Sequence, residues 1–198
     1  MAIARRYETF EVRGMLQGAE GVASPVTGAG AHSRGLHALK TPGGVGVTHG
    51  DMMYRTHKQV GESNSQFKNR GSAVQTSAFA NLIQQADAAC QALNSVTGQS
   101  ALAVLDDPTY SGQKLRVTLE VNNLKEIGFL GLGPGKMSTV HKTNVSVLNT
   151  SAKGVRLILD RAGGSTAIHI QTCFPLAMLA SPTYSVMDMT SQVVVASG

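Results

Sequence analysis

The spacing of hydrophobic residues changes once along this chain, and the change marks where helix gives way to sheet. In TSAFANLIQQADAACQALNS, residues 76–95, Phe79, Leu82, Ile83, Ala86, Cys90 and Leu93 fall at offsets of 3, 4, 7, 11 and 14, which places them on one face of an α-helix. Thr76 or Ser77 is placed to cap its start, and Gly98 follows its end. The spacing therefore predicts a helix over 76–95 that packs against a sheet. After it the period becomes 2. In KLRVTLEV, residues 114–121, Leu115, Val117, Leu119 and Val121 alternate with Arg116, Thr118 and Glu120, the pattern of a half-buried strand. Similar runs follow at STVHKTNVSVL, GVRLILDR, TAIHIQTCFPL and SQVVVAS, and Gly163-Gly164 suits a tight hairpin turn between two of them.

These patterns predict an α+β fold: one main amphipathic helix packed on an antiparallel, meander-like sheet of four to six strands, with a short helix near residues 63–70. Residues 1–48 differ in kind. Stretches such as GAEGVASPVTGAGAHSRG and KTPGGVGVTHG supply few large apolar side chains. They predict a loosely packed or flexible Gly-rich arm, carrying a short strand at YETFEVRG, ahead of a single domain over 49–198. No internal repeat occurs at a period of about 20 to 50 residues.

Composition narrows the function classes. The 198 residues include 22 Gly, no Trp and only 5% aromatics, so the core is built from aliphatic and small side chains. Lys and Arg exceed Asp and Glu by 17 to 12, a net charge of +5 that favours anionic partners such as RNA, DNA or phospholipid surfaces. Cys90 and Cys173 lie far apart, one on the predicted helix face and one in a predicted strand, and read as core thiols. No apolar run approaches the roughly 18 residues a membrane span needs. The start, MAIARRYETFEVRG, lacks the apolar core of a secretory signal, which predicts a protein cytoplasmic as made, with any export as an effector depending on another system.

Two familiar chemistries fail on mechanics. GLGPGKMST has Leu130 and Met137 where a phosphate-binding loop needs Gly and Ser or Thr, and Pro134 removes a backbone donor. The histidines at 32, 37, 49, 57, 141 and 169 form no HxH or HxxxH pair, and neither cysteine has a CxxC partner, so no metal or cofactor is predicted. His32 and His37 fall in the Gly-rich arm and read as exposed; His169 alternates between Ile168 and Ile170 and reads as a surface or edge residue. No GxSxG is present either.

What survives is a pair of segments, HKQVGESNSQFKNR at 57–70 and IHIQTCFP at 168–175, separated by the SAFANLIQQA run and the strands. Their order resembles the bacterial RNase A-like toxin domains found at the C-termini of contact-dependent inhibition proteins. Those domains carry a histidine followed by Val-Gly-Lys-Ser/Thr, an arginine eleven residues after that histidine, a Ser-x-Phe helix start, and a closing Thr-x-Tyr-Pro strand. Here VGES at Val60–Ser63 is similar to the first motif, Arg70 stands ten residues after Val60, and Ser77-Ala78-Phe79 matches the helix start. Thr172 and Pro175 match the closing strand. Gln59 occupies the position of the family's histidine, with His57 two residues earlier, and Phe174 replaces the tyrosine.

The resemblance implies an endoribonuclease toxin that cuts RNA, tRNA and rRNA among its targets, by attack of the 2′-hydroxyl, without a metal or cofactor. His57, Arg70 and Thr172 would then be catalytic, with Lys58, Gln59, Lys68 and Phe174 at the substrate. The chemistry requires a base, an acid and cationic donors for the phosphorane. Histidine performs either proton transfer at neutral pH, whereas glutamine performs neither. A two-residue offset in a strand returns a side chain to the same face about 6–7 Å along, so the resemblance leaves His57 as the proton carrier, with His141 and His49 behind it. An acidic immunity protein is the partner such a toxin implies. Two other readings fit the same residues: a non-catalytic relative that binds RNA or protein through its cationic surface, and a phage-type structural assembly protein.

Overall fold

Period-2 patterning becomes burial in strand β2, Leu115–Asn122, where Leu115, Val117, Leu119 and Val121 are buried and the residues between them are half-exposed. A computed structural model describes residues 5–32, 35, 37–42, 44–69, 75–122, 136–141, 144–151, 154–176 and 181–198. Within it the chain is α+β, with helices packed on a five-stranded antiparallel sheet. The remaining strands of that sheet are β5 (Gly154–Arg161), β6 (His169–Leu176), β7 (Thr183–Asp188) and β8 (Val193–Ser197), in the order β6-β5-β2-β7-β8. The path departs from a simple meander, because β2 lies between β5 and β7. Three further strands, β1 (Gln75–Phe79), β3 (Lys136–His141) and β4 (Asn144–Ser151), form a separate antiparallel sheet in the order β1-β3-β4. The GLGPG part of the rejected phosphate loop lies outside the described residues.

Helix α1 spans Thr9–Ala19, where the alternation of YETFEVRG predicts a short strand. The correction has a local cause and a packing cause. The Glu8 backbone N–H donates to the Glu11 carboxylate at 2.7 Å, satisfying an amide at the helix start. Val12, Leu16 and Ala19 then follow at helical spacing and are buried, and the first two join the main core. Part of the Gly-rich arm is thus a wall of that core.

The helix predicted over 76–95 begins later. Helix α4 runs Leu82–Asn94, and its cap is Asn81, whose side chain accepts from the Gln84 N–H at 2.9 Å. Residues 75–79 are instead extended and pair with β3, from Gln75 opposite His141 to Phe79 opposite Met137. Phe79 fits the helical spacing because it reaches the same core from the strand. Ser95 ends α4 and begins α5, Val96–Leu105, its hydroxyl donating to the Ala92 carbonyl and accepting from the Gly98 N–H. Gly98 is needed for this corner, since a Cβ there would lie 2.0 Å from the Ala92 carbonyl oxygen.

The core between α1, α4, α5 and the inner face of the sheet is aliphatic and small: Ala86, Ala89, Cys90 and Leu93 meet Leu119, Leu157, Leu159 and Cys173. Both thiols are buried, and burial pushes the Cys90 thiol up to about 11 and the Cys173 thiol higher still. A second, smaller cluster of Val47, Met52 and Ala78 lies between β1 and helix α2, His49–Thr56. Helix α3, Asn64–Asn69, matches the short helix expected near 63–70. No described helix is long and apolar enough to cross a membrane.

Candidate functional site on the outer face of the sheet

The face of β2, β5 and β6 turned away from the helices is organised in cross-strand rows. Glu120, Arg156 and Phe174 stand opposite one another in one row, Thr118, Ile158 and Thr172 in the next, and Arg116, Asp160 and His169 in the third. The arrangement depends on a β-bulge at Gln171. Ile158 pairs with Thr172 but Leu159 pairs with Ile170, so Ile170 faces the core while Thr172 and Phe174 face outward. Strict alternation puts Ile170, Thr172 and Phe174 on one face; the extra residue separates them.

Each row has distinct electrostatics. Arg156 forms an ion pair with Glu120, and its guanidinium carbon lies 5.4 Å from the centre of the Phe174 ring. In the third row, Arg116 holds Asp160 through two hydrogen bonds of 2.8 Å, and the Ser24 hydroxyl donates to the same carboxylate at 2.5 Å. Asp160 is fully buried, and this pairing satisfies its charge. Between these two rows the Thr172 hydroxyl is buried and makes no hydrogen bond among the described residues.

The Gly-rich arm runs along this face. Ser24 and Thr27 meet the Arg116–Asp160 pair, the Gln171 side-chain amide donates to the Gly30 carbonyl at 3.0 Å, and the His32 N–H donates to the Gln171 carbonyl at 3.3 Å. Next comes His37, whose ring lies 5.2 Å from Phe174 and 6.0 Å from His32. His37 Nδ1 is 3.3 Å from the Ser77 carbonyl oxygen. A carbonyl only accepts, so Nδ1 carries the proton and the neutral ring keeps its lone pair on Nε2. Burial pulls the His37 pKa down to about 4; the Ser77 carbonyl opposes that shift, and the neighbouring His32 and Arg55 add to it. The composition of the arm suggests exposed histidines, whereas His37 is half-buried against the sheet.

The predicted site residues divide around β1. Thr76 and Ala78 face α2: the Thr76 hydroxyl donates to the Met52 carbonyl at 3.3 Å, and Ala78 belongs to the small cluster. Ser77 and Phe79 face the other way, and the Ser77 hydroxyl donates to the Pro175 carbonyl at 3.1 Å. His57 caps α2 on the first side, its N–H donating to the Met53 carbonyl and its Nδ1 lying 2.8 Å from the Thr56 hydroxyl. Gln59 to Glu62 form a turn in which Gly61 has φ of 81°, a left-handed conformation suited to glycine. The Gln59 N–H donates to Glu62, and its side-chain amide donates to the His57 carbonyl. Lys58 donates to Asn64, and Lys68 is exposed in the last turn of α3. An open concavity beside them is lined by Tyr54, Gln59, Val60, Gly61, Glu62, Gln66 and Asn69. Arg70 lies outside the described residues.

The outer face thus joins Thr172 and Phe174, which the sequence motif selects, to Arg156 and His37, which it does not. Arg156 is readable as the polar alternate of GVRLILDR, but nothing local marks its opposition to Phe174. His37 has no motif at all. Among the described residues no three His, Cys, Asp or Glu side chains form a metal-ligand group. Comparison of the chain with protein-family models, with curated proteins and with solved structures found no match.

Proposed function

We propose that this protein is a metal-independent endoribonuclease that cleaves RNA by attack of the 2′-hydroxyl on the adjacent phosphodiester, as its resemblance to RNase A-like toxin domains implies. The observation that carries the reading is the Ser77–Pro175 hydrogen bond, which ties Ser77-Ala78-Phe79, a strand here where the resemblance expects a helix start, to the closing Thr172–Pro175 segment. On the same strand Thr172 and Phe174 share a face with Arg156, and His37 rests on Phe174. An arginine and a threonine hydroxyl are suitable donors to a phosphorane, and histidine is the side chain suited to its proton transfers. In this reading His57, at the end of α2, belongs to the substrate's approach with Lys58, Gln59 and Lys68, while Arg70, catalytic by the resemblance, lies outside the described residues. The net charge of +5 favours a polyanion, and an acidic immunity protein would neutralise the same surface. Export as an effector is part of the proposal.

The test is direct. Purified protein incubated with a single-stranded RNA in chelator is expected to give fragments ending in 2′,3′-cyclic phosphate, and to leave DNA of the same sequence intact, because DNA lacks the nucleophile. Intact RNA after long incubation at high enzyme concentration would refute the proposal.

One observation favours a second reading, RNA binding without cleavage: the Thr172 hydroxyl is buried and Arg156 is already paired with Glu120. Salt-dependent RNA affinity with no product would select it.

A further inference from the structure

We infer that His37, on the Gly-rich arm, is the general base of the RNA-cleaving site, taking the 2′-hydroxyl proton at Nε2 in place of the histidine that the sequence lacks at residue 59. The inference rests on the ribonuclease reading above and adds to it the identity of the proton acceptor.

Three observations carry it. His37 is the histidine whose ring rests on Phe174, on the face shared with Thr172 and Arg156, at 5.2 Å between ring centres. Its orientation is set from behind, since the Ser77 carbonyl holds Nδ1–H at 3.3 Å and leaves Nε2 as the basic atom. That carbonyl belongs to the residue whose hydroxyl holds Pro175, so β1 fixes the base and the closing strand together. The charged groups acting on His37 are His32 from the arm and Arg55 from α2. Burial first, and these neighbours after it, keep the His37 imidazole unprotonated near neutral pH.

The step balances without a co-reactant. The 2′-O–H bond breaks with its proton passing to His37 Nε2. The 2′-oxygen then bonds to phosphorus, and the bond from phosphorus to the 5′-oxygen breaks. The departing 5′-oxygen takes a proton from solvent, to which Nε2 later returns its own. The products are a 2′,3′-cyclic phosphate and a 5′-hydroxyl.

The experiment compares wild type and His37→Ala on one RNA oligonucleotide in chelator, with and without added imidazole, and with circular dichroism to check folding. His37→Ala is expected to lose about 10²- to 10⁴-fold in kcat, the usual contribution of a positioned acid or base. Free imidazole should restore part of that loss. Wild-type cleavage that survives His37→Ala, or is lost in a folded variant with no imidazole rescue, would overturn the assignment to His37 and leave the ribonuclease reading standing. A wild type that leaves RNA intact would remove both. Should His37→Ala unfold, His37→Asn keeps an amide donor in the Nδ1 position and removes Nε2, and the same loss of kcat is expected of it.

Discussion

The two faces of the β6-β5-β2 sheet are made by alternate residues of the same strands, and they are built on opposite principles. The inner face is aliphatic up to its end, where buried Arg161 stands opposite Leu115: Val117, Leu119, Val155, Leu157, Leu159, Ile170 and Cys173 are all fully buried and apolar apart from one thiol. The outer face carries Arg116, Glu120, Arg156, Asp160, Thr172 and Phe174, of which Asp160 and Thr172 are buried as polar groups. Burial of apolar surface stabilises without regard to direction, whereas burial of a charge or hydroxyl stabilises only if a partner meets it. The inner face therefore fixes the fold, and the outer face depends on the arm that supplies partners to it.

That contrast can be broken from either side. The largest effect belongs to the inner face: Leu157→Ala removes a fully buried side chain and is expected to cost about 2–5 kcal/mol in urea unfolding, without altering the outer rows. Next comes acid. The folded protein holds His37 near 4 and the unfolded chain near the ordinary 6.5, so the unfolded state binds more protons between those values. Stability is therefore lost as pH falls from 6.5 towards 4, by up to about 3 kcal/mol from this group, and His37→Gln should flatten that part of the profile. A smaller loss, about 2 kcal/mol, is expected for Arg116→Ala in the same urea titration, since it strands the buried Asp160 carboxylate but opens a partly exposed site to water. The smallest stability change is the most informative. Thr172→Val should leave the unfolding free energy within about 1 kcal/mol of wild type, because the hydroxyl has no partner to lose among the described residues. If the outer face cleaves RNA, that same substitution should reduce the rate at least about tenfold; equal rates would assign the hydroxyl to packing.

The inner face is legible in the sequence for the same reason that it is stable. Period-2 spacing in KLRVTLEV and GVRLILDR, and the Ala and Leu spacing of residues 82–93, report burial that depends on position along one element. Where that logic fails, the element boundary is set by a neighbour. Residues 75–79 are a strand because β3 pairs with them, and residues 9–19 are a helix because the buried set continues through Leu16 and Ala19, beyond Gly14. The outer face is legible only in fragments. Thr172 and Phe174 can be picked out by their motif, but Arg156 reaches Phe174 through pairing of separate strands, and His37 reaches it through an arm with little periodicity. Low-periodicity segments hide their contacts from any reading of spacing, because their side chains are directed by tertiary hydrogen bonds such as His37 to Ser77.

Gln171 is a spare count in the ladder between β5 and β6: Ile170 and Thr172 stand opposite the adjacent residues Leu159 and Ile158, and Gln171 has no place between them. Parity along β6 is therefore kept by leaving this residue out. If it were drawn into regular pairing, one side of the strand would turn over, sending either Ile170 outward or Thr172 and Phe174 towards the helices. If it were deleted, Ile170 would still point in and Thr172 out, so both faces would survive. What would vanish is one mooring of the arm, because the Gln171 carbonyl receives the His32 N–H and its amide reaches the Gly30 carbonyl. The residue that regular pairing excludes is thus the one free to hold a chain lying across the sheet, and His37 is five residues beyond that tether.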